Sequence, residues 1–350
     1  MIGTAVDRSH RNVTPRIGWI LSHDRATASS RLQGHLIHDW LRSHGHRSSL
    51  IAENFNRVAS IYAPAFLKVA MRLRRSACSV VVFEGPEWPM HQLARMWRLW
   101  GGRAVGVRCD PLPGPFDETF DLTIVPTATL RDALHIARAV VIDDCVDVSP
   151  GLFKRDHRQS PRLRVVWVGH HGYQSYITGL VAQLRVDPDI HAGFEFELIS
   201  RGAFATRQWS EATIAADILA ADIALIAIPS GSRYVSKSTN RLAMMMSLGM
   251  PIVATLIPSY QELARDGENG LFVTTDAQIG DCLRRLRDRT MRAKLGQSAR
   301  ASVAGRYGLD VIGPRWLATL ERVATEEPLP PPSNTRLSLL ARAVGALSPM

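Results

Sequence analysis

Short, uninterrupted apolar runs recur along the chain, separated by stretches with helical periodicity. The first, Ile-Gly-Trp-Ile-Leu at 17–21, is too short for a stable helix and leads into a polar loop at 22–29 and a helical pattern over 30–44. Further runs at 79–83, 104–107, 122–125 and 140–142 alternate with helical stretches around 59–75, 88–100 and 128–136. Continuous hydrophobicity marks strands buried on both faces, and their alternation with helices predicts a parallel sheet covered on each side. A polar, charged segment bracketed by Pro150 and Pro161 reads as a linker. A second series follows, with strands at 165–168, 194–199, 223–228, 251–255 and 271–273 and helices between them. Residues 276–306 read as two basic helices and 310–323 as a final one. The proline-rich 328–332 reads as extended, and 337–347 as either a short amphipathic helix or an unstructured tail.

The pattern therefore predicts an α/β protein with two doubly wound, Rossmann-like domains. In such sheets ligands collect at the carboxyl ends of the strands, so two of them facing one another make a cleft. Dehydrogenases, kinases, epimerases and transferases share this outline, and the fold by itself does not choose among them.

Composition narrows the field. A chain of 350 residues with 46% hydrophobic positions can build two cores of ordinary size. The four cysteines, Cys78, Cys109, Cys145 and Cys282, form no CxxC pair and no cluster with metal-ligand spacing. They read as reduced thiols of a cytoplasmic protein, with the inner face of a membrane as an alternative location, and neither a metal nor another cofactor is expected. Residues 1–16 carry no apolar signal-peptide core, and no run of about 18 apolar residues exists to span a membrane. The net charge of +10, carried mostly by arginine, either points toward an anionic partner (phosphate, nucleic acid or acidic lipid) or reflects only an arginine-rich composition. A nucleic-acid motif and an aromatic stacking platform are both missing, which argues against nucleic acid. Lys68, Arg72 and Arg75 share one helical face, and Trp97 and Trp100 lie among Arg95, Arg98 and Arg103. That pattern suits peripheral contact with an anionic bilayer, or else helices that simply cover the sheet.

The stretch from Lys237 to Thr255 carries the most chemistry. Ser238 or Thr239 can cap a compact apolar helix that ends at Gly249, before a strand that begins at Pro251. The capped end would turn free backbone N–H groups toward the cleft, a setting that favours an anion by roughly 0.3 to 1 kcal/mol. Lys237 adds a full positive charge there, and it is one of only four lysines in the chain. Lys237 and Arg241 are the candidates for phosphate contact, with Ser238 and Asn240 as polar support. Ser259 can cap a second short helix, placing Tyr260 and Glu262 at its start. Gly169 and His170 follow a strand end in the same half. On the N-terminal side, Asp110, in the segment Arg108-Cys-Asp-Pro-Leu-Pro-Gly114, lies at the cleft rim with Arg31 beside the first loop. Asp110 could orient an acceptor hydroxyl or merely form a turn before proline.

Residues 237–273 resemble the donor-domain signature of the large retaining GT-B glycosyltransferase family that includes glycogen-synthase-like and cell-envelope mannosyl- and glucosyltransferases. The matching features are Asn240-Arg241-Leu242, Gly249-x-Pro251-Ile-Val-Ala-Thr255 and Glu262-Leu-x-x-Asp266-Gly-x-Asn269-Gly270-Leu. Weaker similarity covers Ser30-Arg31-x-x-Gly34, Gly45-His46 and Arg164-Val-Val-Trp-Val-Gly169. The resemblance implies a polar leader (1–15), an acceptor domain (16–149), a linker (150–161), a donor domain (162–308), a helix crossing back to the first domain (309–325) and a proline-rich tail (326–350). It also implies transfer of a sugar, with retention, from a nucleotide-sugar donor to a polysaccharide, glycolipid or secondary-metabolite acceptor. Asp110 and Lys237 are then the candidate catalytic residues. Two departures stand out. Members usually carry two glutamates where this chain has Ser236 and Met244, and a Lys-Gly pair shortly after the strand that ends at Val168-Gly169, where this chain reads His170-His-Gly-Tyr-Gln-Ser175. A degenerate sugar-nucleotide-binding scaffold, or an epimerase on the same fold, are the alternatives.

Overall fold

The computed structural model describes residues 14–58, 60–85, 88–111, 119–149, 151–231, 234–327, 330 and 335–347. Most of the polar leader, the loop beyond Pro111 as far as Gly114 and most of the proline run lie outside these residues. Six strands form the first sheet: β1 (Ile17–Leu21), β2 (Ser48–Ala52), β3 (Val80–Glu84), β4 (Arg103–Val107), β5 (Leu122–Val125) and β6 (Ala139–Val141). Six more form the second: β7 (Leu163–Val168), β8 (Phe194–Ser200), β9 (Arg207–Gln208), β10 (Ile223–Ile226), β11 (Ile252–Thr255) and β12 (Leu271–Val273). The orders are β2-β1-β3-β4-β5-β6 and β12-β11-β10-β7-β8-β9, and every pairing is parallel. The central strands β1, β3, β5 and β10 are buried along their whole length, as their unbroken hydrophobicity requires. The hydrophobic runs did not reveal β2 and β9. Both are edge strands, and their polar residues Ser48, Ser49, Arg207 and Gln208 leave no continuous apolar signature.

The helices follow from the strands. After β1 the chain turns through Ala28–Ser30 and a wider π turn, Arg31–His35, into α1 (Leu36–Ser43). Gly34 lets this segment lie against β1, because a Cβ there would stand 2.6 Å from Leu21 Cδ2. α2 (Pro64–Arg75), α3 (Trp88–Leu99) and α4 (Ala128–Leu134) complete the series in the first lobe. The second lobe holds α5 (Gln174–Leu184), α6 (Pro188–Gly193), α7 (Ile214–Ala220), α8 (Asn240–Ser247), α9 (Ile279–Arg285) and α10 (Arg289–Val303). α11 (Leu309–Thr325) returns to the first lobe, where Ile312, Trp316, Leu320 and Val323 join the core of β1 and α1. Trp316 meets Trp19 with ring centroids 5.7 Å apart. α12 (Thr335–Leu347) buries Leu337, Ala341 and Val344 against α2 and α3.

The α12 contact bears on the proposed membrane face. Trp97 is 2% exposed and donates to the Arg103 carbonyl, Trp100 donates to the Ala341 carbonyl, and Arg98 is buried and donates to the Pro330 carbonyl. These three side chains are occupied inside the lobe, whereas Lys68, Arg72 and Arg75 are exposed. Among the described residues no helix is long and apolar enough to cross a membrane. The stretch at 151–161 is strapped down rather than loose. Lys154 Nζ donates to the Leu219 and Ala221 carbonyls, and Arg158 makes a two-pronged bond to the buried carboxylate of Asp222.

α8 ends at Gly249, whose φ of +65° suits glycine, and a Cβ there would meet nothing nearer than 3.6 Å. Gly249→Ala should therefore cost backbone strain alone, about 1 kcal/mol of stability in urea denaturation. An unchanged midpoint would contradict the left-handed turn.

Candidate functional site

Strand order reverses between β1 and β3 in one sheet and between β7 and β10 in the other. Loops leaving the carboxyl ends at these two reversals meet across a cavity of about 700 Å³. The first lobe supplies the loop from His23 to Ser29, together with Arg31, Asp110 and the segment Asp144–Asp147. The second supplies Gly169, His170 and His171, then Arg201 and Trp209, and finally Lys237 to Arg241 with Tyr260.

The head of α8 is built as the capping pattern predicts, with Ser238 as the capping side chain. Its hydroxyl accepts from the Asn240 N–H at 3.1 Å, while Thr239 makes no side-chain cap bond. The same hydroxyl donates to Asp144, and Asn240 Nδ2 donates to that carboxylate at 3.3 Å. Lys237 pairs with Asp110 across the cleft. Burial lowers the Lys237 pKa, but the Asp110 carboxylate outweighs it, so the ammonium titrates above its ordinary value. Ser259 differs from expectation. It lies in a 3-10 turn, Pro258–Tyr260, and spends its hydroxyl on the Lys237 carbonyl at 2.6 Å instead of capping a helix. Glu262 is exposed and is not part of the cavity lining, while the buried Tyr260 lines it.

On the opposite wall, Glu84 at the end of β3 holds the first loop. Its carboxylate accepts from the Ser22 N–H at 3.1 Å and from Ser30 Oγ at 2.6 Å, and its carbonyl accepts from Ser22 Oγ. Arg31 is buried, pairs with Asp147 at 2.8 Å and lies over the Trp209 ring of the second lobe at 4.7 Å. Asp144, only 4% exposed, accepts from Gln33 Nε2 at 2.6 Å in addition to Ser238 and Asn240. Burial raises its pKa, and those three bonds act in the opposite direction. Sequence reading passed over Glu84, Asp144, Asp147, His23, Arg201 and Trp209. Acidic residues directly after an apolar strand, as in Val140-Val-Ile-Asp143-Asp144, were the available signal.

The second lobe adds a group of basic side chains to the lining. His170 Nδ1 accepts from the Gly172 N–H at 3.0 Å, and its ring lies 3.8 Å from that of His171. Burial lowers the His170 pKa, and the neighbouring His171, Lys237, His23 and Arg201 lower it further. Five basic groups thus converge on one part of the cavity. Arg241 lies at its margin, 6.0 Å from the Tyr173 ring centroid. Among the described residues no group of three or more His, Cys, Asp or Glu is arranged to hold a metal ion.

Solved structures with the same architecture identify the fold. A glycosyltransferase from Rickettsia africae superposes with a TM-score of 0.68 at 9% identity, over 89% of this chain and 100% of its own. The fold is GT-B. Sucrose-phosphate synthase from Thermosynechococcus elongatus gives a TM-score of 0.66 at 13% identity, over 87% of this chain and 98% of its own. Anabaena HepE, solved with UDP and glucose, gives 0.66 at 12% identity, over 87% and 99%. No family model matches the sequence, and no curated protein does. Two helical details separate this GT-B chain's cleft from the sequence expectation: Ser259 braces Lys237, and Glu262 is excluded.

Asp147→Ala would leave the Arg31 guanidinium buried without its carboxylate. The expected loss is about 3 kcal/mol in chemical denaturation. A loss below about 1 kcal/mol would mean that stacking on Trp209 is enough to hold Arg31.

Proposed function

We propose that this protein is a glycosyltransferase that moves a hexose from a nucleotide-sugar donor to a glycan, lipid-linked or secondary-metabolite acceptor, with retention at the anomeric carbon. The observation that carries the reading is the convergence of His23, His170, His171, Arg201 and Lys237 beside the head of α8, inside a cavity between two GT-B lobes. A nucleoside diphosphate is the leaving group such a cluster suits, because charge that develops on the departing phosphate meets Lys237, Arg201 and the imidazole N–H groups in a partly dry site. His170 and His171 stand in the loop where the resemblance called for a lysine, so imidazole N–H groups take over part of its role toward the phosphate. The HepE structures with UDP and with UDP-glucose support a uridine donor.

Lys237 is held by Asp110 across the cleft. An incoming diphosphate competes for that ammonium, and the released carboxylate then faces the first lobe, where it can orient an acceptor hydroxyl. As the sugar C1–O bond breaks, its electron pair stays on the diphosphate, the acceptor oxygen bonds to C1, and the hydroxyl proton leaves with the diphosphate. Ser236 and Met244, standing in place of the family's paired carboxylates, favour a second reading: a nucleotide-sugar-binding scaffold without turnover.

Calorimetry with UDP-glucose and GDP-mannose, followed by assay of released UDP or GDP, separates the two readings. Binding with slow donor hydrolysis is expected, and binding without any turnover would leave the scaffold. Lys237→Ala should weaken donor binding about tenfold, roughly 1.4 kcal/mol. Unchanged affinity would remove Lys237 from the phosphate site. Donor affinity should also fall as pH rises from about 6 to about 8. The His170 pKa lies below normal without an anion, and a bound diphosphate diester of fixed charge raises it. Binding therefore takes up a proton, and affinity is lost as the medium becomes alkaline. A flat profile would exclude the histidines.

A further inference from the structure

Asp144 is a buried carboxylate in the cleft. Asp144 follows β6, in the segment by which the chain leaves the first lobe, and both its oxygens are engaged. Oδ1 accepts from Gln33 of the first lobe; Oδ2 accepts from Ser238 Oγ and Asn240 Nδ2 of the second. Three side chains from two lobes therefore converge on one group that is 4% exposed. Next to it, Cys145 Sγ contacts the Leu32 carbonyl of the first lobe, and the Val146 N–H donates to the Tyr307 carbonyl where the chain crosses back.

We propose that Asp144 is a positioning residue of the transfer reaction: it fixes the head of α8 relative to the first lobe, so that the donor-binding groups and the acceptor side are held in one geometry. The inference rests on the donor site described above.

The argument follows from the bonds. Ser238 caps α8 with its oxygen and must send its proton elsewhere, and Asp144 takes it. Asn240 is aimed by the same carboxylate. Lys237 is one residue from Ser238, so the rotation of this turn also determines where the ammonium points. Among the described residues, Asp144 is the acceptor that joins these groups to Gln33. Replacing it with an amide of the same shape removes the negative charge that draws all three donors, so the charged hydrogen bonds of the junction become weaker neutral ones while volume is kept. Exposed ion pairs that also cross the cleft, Arg25 with Glu211 and Arg201 with Asp24, are weak substitutes.

The test uses Asp144→Asn, with Gln33→Leu as a second variant that cuts only the first-lobe arm. Two readouts are taken: UDP affinity by calorimetry, and lobe spacing by small-angle scattering of the nucleotide-free protein. The expected result for Asp144→Asn is UDP binding about tenfold weaker, the size of one lost charged hydrogen bond, with a larger radius of gyration. UDP affinity equal to or tighter than wild type would overturn the proposal, because Asp144 would then merely compete with phosphate. If wild-type protein binds no UDP, the donor reading fails by itself. Scattering still decides the junction in that case: expansion supports it and an unchanged radius refutes it. Should Asp144→Asn not fold, Gln33→Leu carries the same two readouts, with expansion expected and an unchanged radius overturning the proposal.

Discussion

The arrangement of the molecule depends on α11 packing against the first sheet. β1 is buried on both faces along its whole length, so it needs an apolar cover that α1 supplies only in part. Trp316 and its neighbours on α11 complete it, and to do so the chain must leave the second lobe and come back. The lobes are thus joined twice, once after β6 and once before α11, and the two crossings are bonded to each other through Val146 and Tyr307. A double connection restrains how the lobes face one another far more than a single linker would.

Within that restraint, the cleft separates weak contacts from strong ones. The ion pairs at its rim are solvated and contribute little. Arg31 with Asp147 is different, since both side chains are about nine-tenths shielded and each would be costly to leave alone. The sign of the charge is also sorted. Carboxylates come mainly from the first lobe and the crossing segment, and basic groups mainly from the second. A ligand with an anionic end and a hydroxyl-rich end would find complementary surfaces in one orientation only.

The elements that were legible in the sequence are those set by local physics. Strands buried on both faces announce themselves as apolar runs, whereas β2 and β9, at the sheet edges, do not. The stretch from Gly249 to Gly270 could be recognised because backbone geometry demands it. Gly249 has positive φ, Asp266 accepts from the Phe272 N–H, and Asn269 bonds the Leu263 carbonyl and the Arg265 N–H. These residues describe a fold more than a reaction. Lys237, Ser238 and Asn240 could be placed at the head of α8 because a helix start is a local signal. Asp144 and Glu84 were not, since their partners lie far off in sequence and only the packed sheets bring them together. Glu262 lies outside the cavity lining, after a 3-10 turn where a capped helix was expected.

α12 adds a consequence of a different kind. The first lobe's core is shared between strands near the start of the chain and two helices near its end, with the entire second sheet inserted between them. During synthesis on the ribosome, the second lobe can therefore close while the first still exposes the surfaces of Trp19, Phe66 and Leu93. The lobe translated first is the last to become complete. Its early strands must remain soluble, or be chaperoned, until the final helices emerge to cover them.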